Sequence, residues 1–374
     1  MCPDSFGGTM SAPEAAEAFA AGWLEFAPDD DVVVAPVSDG GPGFCAALAR
    51  AKNLDLTTTV VTGPLGAPVD AQWLLDGDTA FIEVAQACGL HLLTADSTNP
   101  EITTSRGVGE LILAALAADV KHIVVGVGGT STNDGGAGML AALGATALNN
   151  DGEDATVLLS RGGYGLRDIS VVNLNKPLRL LKGVSLEVAT DVDNPFLGAR
   201  GATNTFAPQK GATQEMVMRL ETSMEVWATA CGKRSDNKSP AVAIGAGAGG
   251  GLGFGLIHLG AVRTSGIERI LELTGIGELC AWADLVITGE GSFDWQSLRG
   301  KVVTGVAAAA MNAGTSCVVV AGEVSIGRRE WLALGVHGAY SMSEVTSEDF
   351  SHNHAVEAAR KTVRRAARTW HRPC

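Results

Sequence analysis

Short apolar runs, each followed by a glycine-rich turn and then a helical stretch, recur along the chain and limit its fold more than any other feature. The clearest runs are β-branched, such as HIVV before Gly126, which is typical of strands buried on both faces. Because strands separated by helices pair in parallel, this order predicts the α/β class. Strands are predicted over 31–37, 79–85, 121–127, 184–192, 241–245, 283–289 and 315–322, and helices from Pro13 and over 105–118, 135–145, 213–231, 302–314 and 355–372.

Length, charge and cysteine spacing bound the class of protein. At 374 residues the chain exceeds one hydrophobic core, so two domains are expected. A formal charge of −14 repels a polyphosphate backbone and argues against nucleic acid as a partner. No apolar run reaches membrane-spanning length and no targeting segment is recognisable, so a cytoplasmic protein acting on a small molecule is expected, without a membrane partner. The seven cysteines form no C-x-x-C pair, which indicates neither a disulfide framework nor a zinc site.

The stretch GVGGTSTNDGGAG, residues 126–138, combines glycines with small polar side chains directly after a predicted strand. Bare peptide groups let another molecule approach the main chain closely, and a helix is predicted to begin nearby. The stretch therefore predicts an anion site formed by Gly128, Gly129, Ser131, Thr132 and Asn133, although a tight turn explains the pattern equally well.

A second glycine-rich segment, GAGAGGGLGFG at 245–255, contains one G-x-G-x-x-G match at Gly245, Gly247 and Gly250. The match suggests a nicotinamide-dependent oxidoreductase, but a dinucleotide site also needs a following strand that ends in an acidic residue. Residues 262–275 are instead predicted as helix. A phosphate-facing turn involving Gly247 and Gly249, or close packing between a helix and a strand, explains the glycines better.

Two further segments place carboxylates after predicted strands. TGEGSFDWQSLRGK, residues 288–301, sets Glu290 and Asp294 four residues apart and continues to Lys301. Two carboxylates with a nearby cation fit Mg²⁺-assisted phosphoryl transfer, and a solvated loop is the alternative. In ATDVDNPFLG, residues 189–198, Asp191 and Asp193 directly follow a predicted strand, and a carboxylate there could act as general base, bind metal or cap a turn.

Taken together, the segments resemble the bacterial glycerate kinases of the first type over nearly the whole chain. The most specific matches are GGTSTNDGGAGM and PQKGA, and the others are PDSFGGTMSA, SDGGPG, TGPLG, TTSRGVGELI, DVDNP, GAGAGGGLG, SGIE and TGEGSFDWQS. The resemblance implies ATP- and Mg²⁺-dependent phosphorylation of D-glycerate at the 2-hydroxyl. It also implies a Rossmann-like parallel-sheet domain built from both chain ends (1–66 with 283–374), a second α/β domain inserted at 67–282, and a site in the cleft between them.

The same resemblance implies a role for each motif residue. Catalytic roles are implied for Asp294, Asp191 and Lys301; substrate binding for Asp4, Ser5, Asp39, Arg106 and Lys210; nucleotide or phosphate binding for Gly128, Gly129, Ser131, Thr132, Asn133, Gly247 and Gly249; and Mg²⁺ binding for Glu290 and Asp294.

Three positions depart from the family pattern. Gly7 stands where a lysine is usual, Pro42 where a glutamate is usual, and Ser292 where an arginine is usual. Because of these departures, a catalytically impaired homologue that binds glycerate or nucleotide is an alternative to the active kinase. The nicotinamide-dependent oxidoreductase is the other alternative. A homodimer is a candidate assembly.

Overall fold

The computed structural model describes residues 1–234, 236–295, 297 and 302–372. The chain divides into two compact units. Unit 1 comprises Met1–Asp39, Ala46–Asn53 and the described part of Gly266–Cys374, and unit 2 comprises Gly40–Cys45 and Leu54–Ser265. Strands and helices alternate in both units, which confirms the predicted α/β class. The domain limits implied by the resemblance, 1–66 with 283–374 and 67–282, stay a prediction.

Five of the predicted runs, at 79–85, 121–127, 184–192, 283–289 and 315–322, contain strands, whereas the other strands were not predicted and the strand Val262–Thr264 lies at the start of the segment 262–275 that was predicted as helix. The strands are β1 (Cys2–Pro3), β2 (Leu56–Thr62), β3 (Pro68–Asp76), β4 (Thr79–Glu83), β5 (His122–Gly126), β6 (Thr146–Asn149), β7 (Ile169–Asn173), β8 (Ser185–Ala189), β9 (Val262–Thr264), β10 (Leu285–Phe293), β11 (Ser316–Val324) and β12 (Val336–Ser341).

Helices separate most of the strands. They are α1 (Ala12–Leu24), α2 (Phe44–Lys52), α3 (Ala85–Cys88), α4 (Arg106–Ala117), α5 (Ala137–Ala142), α6 (Asn175–Leu180), α7 (Ala202–Phe206), α8 (Gln214–Cys231), α9 (Ala248–His258), α10 (Gly266–Thr274), α11 (Ile276–Trp282), α12 (Val302–Ala313), α13 (Arg328–Ala333), α14 (Met342–Val345), α15 (Glu348–Asn353) and α16 (Ala355–Trp370). Among the described helices, none combines the length and the apolar character that a membrane crossing requires.

Helix α1 begins where the sequence predicts. The Ser11 hydroxyl accepts a hydrogen bond from the Glu14 N–H, and the Glu14 carboxylate accepts one from the Ser11 N–H at 2.8 Å. This reciprocal pair satisfies two N–H groups that a helix start leaves without partners. Pro13 occupies the first turn, where its missing N–H costs nothing.

Unit 1 contains a four-stranded parallel sheet in the order β1-β10-β11-β12. Its strands Leu285–Phe293 and Ser316–Val324 confirm the runs predicted at 283–289 and 315–322. Buried side chains of α1, α16 and the sheet form one core, including Phe19, Val318, Val320 and Val363.

The strand predicted at 31–37 is not a regular strand, although the segment lies beside β1. Its residues make three of the bonds of a parallel ladder: Met1 N to Val33 O, Ala35 N to Met1 O, and Val37 N to Pro3 O. The bond that would complete the ladder requires an N–H on Pro3, which proline lacks. The prediction of a regular strand at 31–37 was therefore wrong, because Pro3 of β1 cannot donate the hydrogen bond that would complete the ladder.

Unit 2 contains a six-stranded sheet in the order β2-β3-β4-β5-β8-β9. The hairpin β2–β3 and the pair β3–β4 are antiparallel, whereas β4, β5, β8 and β9 run parallel. The carboxyl ends of these four parallel strands therefore lie along one edge, where open α/β sheets bind ligands. Strands β6 and β7 form a separate antiparallel pair.

The strand predicted at 241–245 was wrong. Residues Pro240–Val242 form a 3₁₀ turn, and Gly245 has a φ of +83° that turns the chain. The apolar side chains Val242 and Ile244 are exposed instead of buried between helices. A five-residue apolar run is too short to distinguish a buried strand from an exposed turn.

The crossing of α1 and α16 generates a stability prediction. A Cβ atom built on Gly22 would lie 2.4 Å from the Arg360 carbonyl oxygen, so α1 fits against α16 only with glycine there. We expect Gly22→Ala to lower the free energy of unfolding by about 1–3 kcal/mol, the usual cost of overpacking. The measurement is urea unfolding of the whole chain.

The matched control is Gly277→Ala, because Gly277 also lies in a helix but has no atom within 4 Å of the added Cβ. We expect this substitution to leave the free energy of unfolding unchanged or to raise it by up to about 1 kcal/mol. Equal losses in both variants would contradict the packing argument.

Candidate functional site

The carboxyl edge of the parallel strands in unit 2 holds several of the predicted site residues. In the register of β5 and β8, Gly126 lies opposite Ala189, so Gly128 and Asp191 follow at equivalent positions on neighbouring strands. The Asp191 side chain is half-buried, and its Oδ1 accepts a hydrogen bond from Ser265 Oγ at 2.7 Å. Asp193, two residues further on, is exposed.

Gly128 and Gly129 are the accessible part of the polar stretch 126–138. Gly128 is half-buried and Gly129 is exposed, whereas residues 130–134 are buried. Neither glycine N–H donates to an acceptor within the described ranges of the chain. Gly129 has a φ of +64°, and a Cβ on it would lie 2.6 Å from Pro42. The two amides can therefore donate to an oxygen of a ligand at this edge.

The hydroxyl and amide groups that follow are used inside the protein. Ser131 donates from both its N–H and its Oγ to the Cys88 carbonyl, at 2.8 and 3.0 Å. Asn133 Nδ2 donates to Thr203 Oγ1 at 3.1 Å. Thr132 Oγ1 and Asn133 Oδ1 are buried and have no hydrogen-bond partner within the described ranges. Burial thus directs these side chains away from solvent, and their predicted contact with phosphate stays a prediction.

Asp134 occupies the N-terminal turn of α5, where the sequence predicts a ligand anion. Its carboxylate accepts hydrogen bonds from the N–H groups of Gly136 and Gly138, at 3.1 and 3.3 Å. Ser105 donates to the same carboxylate from N and Oγ, both at 2.8 Å. Burial raises the pKa of Asp134, while these hydrogen bonds act against that rise. The chain thus supplies an anion of its own at the start of α5, and a ligand contact at this helix terminus stays a prediction.

Lys210 is buried beneath the same stretch, with a relative exposure of 3%. Its Nζ donates to Thr130 Oγ1 at 3.0 Å and to the Thr132 carbonyl at 2.6 Å. Burial lowers the pKa of Lys210 to about 8, although the nearby Cys88 and Asp134 favour its charged form. The ammonium group holds the loop 130–132 in place, and its predicted substrate contact stays a prediction.

Arg106 is the first residue of α4 and contacts two groups of unit 2. Its Nε lies 3.0 Å from Glu110 Oε1, one helical turn along, and its Nη1 donates to Ser160 Oγ at 3.2 Å. Glu110 also accepts from the Thr62 N–H and hydroxyl, at 2.7 and 3.0 Å. Arg106 therefore pairs along its own helix, and its predicted substrate contact stays a prediction.

The glycines of 245–255 pack against neighbouring backbone. A Cβ on Gly250 would lie 1.9 Å from the Thr132 carbonyl oxygen, and one on Gly247 would lie 2.4 Å from the Pro195 carbonyl oxygen. Gly249 has a φ of +61°, and its Cβ would meet the Val127 side chain at 2.6 Å. Close packing therefore explains the glycines of the G-x-G-x-x-G match, as the sequence alternative supposed. A nucleotide contact at Gly247 and Gly249 stays a prediction.

Three carboxylates of unit 1 lie toward the carboxyl end of its own sheet. Pro3 lies opposite Gly289 in β10, which places Asp4 beside Glu290. Val37 bonds to Pro3, which places Asp39 at the same end. Burial, followed by the nearby charges of Asp39 and Glu290, raises the pKa of Asp4 well above its ordinary value. The N–H of Ser5 donates to Asp4 Oδ1 at 2.7 Å, which acts against that rise.

Glu290 lies within strand β10 and Asp294 follows its last residue, so the segment between them is extended strand and not a loop. Strand β10 continues through Phe293, and at about 3.3 Å per residue the two Cα atoms are about 13 Å apart. The Asp294 carboxylate accepts a hydrogen bond from Ser292 Oγ at 3.2 Å. Their shared Mg²⁺ site stays a prediction, and Lys301 lies outside the described residues.

Sequence reasoning missed Glu83, the last residue of β4. Its buried carboxylate accepts from the N–H groups of Gly43 and Cys45, at 3.0 and 3.4 Å, and so holds the start of α2. Burial raises the pKa of Glu83 to about 7. The signal was present in TAFIEVA, because a carboxylate inside an apolar run must find donors when it is buried.

The burial of Lys210 predicts a pH dependence of stability. An unfolded chain keeps this ammonium protonated up to about pH 10.4, whereas the folded protein releases the proton near pH 8. Between these values the unfolded state binds more protons, so the free energy of unfolding rises with pH, by up to about 1.4 kcal/mol per pH unit. We expect Lys210→Met to lose this slope in urea unfolding at a series of pH values.

The matched control is Lys121→Met, which removes an exposed lysine that pairs with Asp119. We expect this variant to keep the slope of the unsubstituted protein. A slope that survives in Lys210→Met would assign the pH dependence to another group.

The comparisons with known proteins agree with one another. A model of the glycerate kinase family matches residues 1–372. Glycerate kinase of Bacillus subtilis is 41% identical over 97% of this chain and 95% of its own length. Glycerate 2-kinase of Escherichia coli is 38% identical over 87% of this chain and 85% of its own length. The crystal structure of a candidate glycerate kinase 2 from Salmonella typhimurium LT2 superposes with a TM-score of 0.78 at 37% identity, covering 98% of this chain and 96% of that one. The resemblance drawn from the motifs is confirmed, and the chain belongs to the glycerate kinase family.

Proposed function

We propose that this enzyme transfers the terminal phosphoryl group of ATP to the 2-hydroxyl of D-glycerate, giving 2-phosphoglycerate and ADP. Family membership over residues 1–372 supports glycerate as the substrate, as do the names of the relatives. The choice of the 2-hydroxyl rests on the resemblance and on the relative named glycerate 2-kinase.

One observation from the structure supports the proposal: Asp191 and Gly128 each lie two residues beyond the paired strand ends Ala189 and Gly126, and Gly129 follows Gly128. A carboxylate beside two accessible N–H donors provides a proton acceptor next to an anion site. Phosphoryl acceptance by a hydroxyl requires both, because the attacking oxygen loses a proton while negative charge gathers close to it. We assign Asp191 as the base and the two glycine amides as donors to an anionic oxygen of a substrate.

The proposed reaction is a single phosphoryl transfer with one proton transfer. The 2-hydroxyl oxygen of glycerate attacks the γ-phosphorus of ATP, the bond to the bridging oxygen breaks, and ADP leaves. The proton of the hydroxyl passes to the Asp191 carboxylate, which Ser265 orients by donating to its Oδ1 at 2.7 Å. Asp294 is the alternative base.

The carboxylates of unit 1 fit Mg²⁺ chemically, since this ion prefers oxygen ligands. It commonly takes one or two carboxylates and completes its shell with water and phosphate oxygens. Within the described ranges, no three His, Cys, Asp or Glu side chains lie close enough together to bind a metal ion by themselves. We assign Glu290 and Asp4 as its protein ligands, with Asp39 beside them, in preference to Glu290 with Asp294. When bound, Mg²⁺ neutralises charge on the phosphate oxygens of ATP.

The remaining predicted residues receive supporting roles in this proposal. Ser131, Thr132, Asn133 and Lys210 hold the loop that carries Gly128 and Gly129, because their polar groups face the interior. Arg106 can still offer guanidinium donors to a carboxylate beyond its bonds to Glu110 and Ser160. Ser5 supports Asp4 through its N–H.

The competing functions make different demands on the molecule. A nicotinamide-dependent oxidoreductase would bind its dinucleotide at the G-x-G-x-x-G segment. In this protein, the space beside Gly250 and Gly247 is occupied by the backbone of Thr132 and Pro195. In one assay, D-glycerate with Mg²⁺-ATP should release ADP, and D-glycerate with NAD should give no NADH. Binding of ATP and glycerate without ADP release would identify an impaired homologue instead.

The assignment of the base predicts a selective loss of turnover. We expect Asp191→Asn to lower kcat by at least ~10²-fold while glycerate and ATP still bind, because only proton acceptance is removed. Steady-state kinetics and calorimetric binding provide the two readouts. The matched control, Asp193→Asn, changes an exposed carboxylate of the same loop and should leave kcat near that of the unsubstituted enzyme. A loss confined to Asp294→Asn would move the base to Asp294.

The raised pKa of Asp4 predicts how Mg²⁺ activation depends on pH. Protonated Asp4 cannot ligate the ion, so the concentration of Mg²⁺ needed for half-maximal activity should fall as pH rises through the pKa of Asp4. We expect Asp4→Asn to raise that concentration at least ~10-fold and to abolish its pH dependence. Asp294→Asn should leave it unchanged, and an increase there instead would restore Asp294 as a ligand.

A further inference from the structure

The Thr190 hydroxyl joins the two loops that carry the proposed base and the proposed anion donors. Thr190 follows the last residue of β8 and is buried, with a relative exposure of 1%. Its Oγ1 donates to the Val127 carbonyl at 3.2 Å and accepts a hydrogen bond from the Val192 N–H at 3.3 Å. These roles are unambiguous, because a carbonyl only accepts and a peptide N–H only donates. One hydroxyl therefore bonds next to Gly128 in one loop and next to Asp191 in the other.

The bond to Val127 fixes the direction of the Gly128 N–H. The Val127 carbonyl and the Gly128 N–H belong to the same planar trans peptide group and point in opposite directions. While Thr190 holds the carbonyl, the N–H points to the opposite side, where no group within the described part of the chain accepts it. A carbonyl that accepts a hydrogen bond also polarises its peptide group, so this N–H becomes a stronger donor to an anion.

The bond from Val192 bends the chain at Asp191. A threonine hydroxyl that accepts from the N–H two residues ahead closes a turn, and Asp191 is the residue at the centre of this one. The Thr190 N–H donates to the Thr264 carbonyl at 3.1 Å, and the next residue, Ser265, donates to the Asp191 carboxylate at 2.7 Å. Asp191 is thus held both through the turn and through its carboxylate.

We propose that Thr190 is a positioning residue for phosphoryl transfer, which sets the spacing between the Asp191 carboxylate and the Gly128 N–H. This role rests on the proposed function, in which Asp191 is the base and the Gly128 amide binds an anionic oxygen. Thr190 needs no contact with substrate, because it acts through the two groups that it holds. Proton transfer requires the base within hydrogen-bond reach of the hydroxyl, and a displacement of about 1 Å can cost ~10²-fold in rate.

Steady-state kinetics of two substitutions at Thr190 test this role. Thr190→Val keeps the shape of the side chain but removes both hydrogen bonds, and we expect it to lower kcat at least ~10-fold. Thr190→Ser keeps the hydroxyl and should stay within ~3-fold of the unsubstituted enzyme. The matched control is Thr362→Val, because the Thr362 hydroxyl is equally buried and donates to the Ala358 carbonyl at 2.7 Å. It should leave kcat unchanged.

A double-substitution cycle with Asp191→Asn separates positioning from a loss of folding. Circular dichroism in the assay buffer gives the folded fraction to which each kcat is referred. If Thr190 acts through Asp191, Thr190→Val should lower kcat by less than ~3-fold once Asp191→Asn is present, because residues that act as a unit are not additive. A general disturbance of the fold would instead multiply the two losses.

The outcomes distinguish this role from the proposed function. An unchanged kcat in Thr190→Val, an equal loss in Thr190→Ser, or multiplied losses in the cycle would overturn the positioning role. If Asp191→Asn alone still causes its large loss, each of these results leaves Asp191 as the base. A normal kcat in Asp191→Asn would overturn both assignments.

Discussion

The burial of five consecutive polar residues, 130–134, is the constraint on which the ligand edge of unit 2 depends. Side chains of this kind cost free energy inside a protein unless each finds a hydrogen-bond partner. The neighbouring structure supplies partners for most of them, although Thr132 Oγ1 and Asn133 Oδ1 have none within the described ranges. Ser105 and the start of α5 bind Asp134, and Lys210 binds Thr130 and the Thr132 carbonyl. The nearby Asp134 also favours the charged form of Lys210 within the same buried region.

The burial of residues 130–134 fixes the loop that carries Gly128 and Gly129, the two amides proposed to bind an anion. With residues 130–134 anchored, the preceding glycines are held in place without using their own N–H groups. Donors fixed before a ligand arrives need no reorganisation when charge develops, which is how preorganised sites stabilise a transition state. The glycines of 245–255 belong to the same design, because Gly250 allows the Thr132 carbonyl to approach at a distance that any side chain would prevent.

The sequence predicted the alternation of strands and helices but not the direction of individual side chains. Apolar runs such as HIVV identify strands because burial on both faces requires them, and β5 lies where predicted. Ser131 and Asn133 were predicted as ligand contacts because small polar residues beside glycine suit either a ligand or an internal network. Only the fold decides between these two, since it places Cys88 and Thr203 within reach. The extension of β10 to Phe293 likewise depends on β11 continuing beside it, which local sequence does not encode.

The three departures from the family pattern change the charge that an anionic substrate would meet. Gly7 and Ser292 remove two cations that the pattern would supply, and Pro42 removes one carboxylate. Pro42 lies against Gly129, so a glutamate in its place would bring negative charge close to the amides proposed to bind an anion. Replacing it with proline lowers the repulsion that an anionic substrate meets there, which offsets part of the lost positive charge. Binding at this edge then rests on backbone donors more than on cationic side chains, and backbone donors keep their geometry whichever side chains surround them.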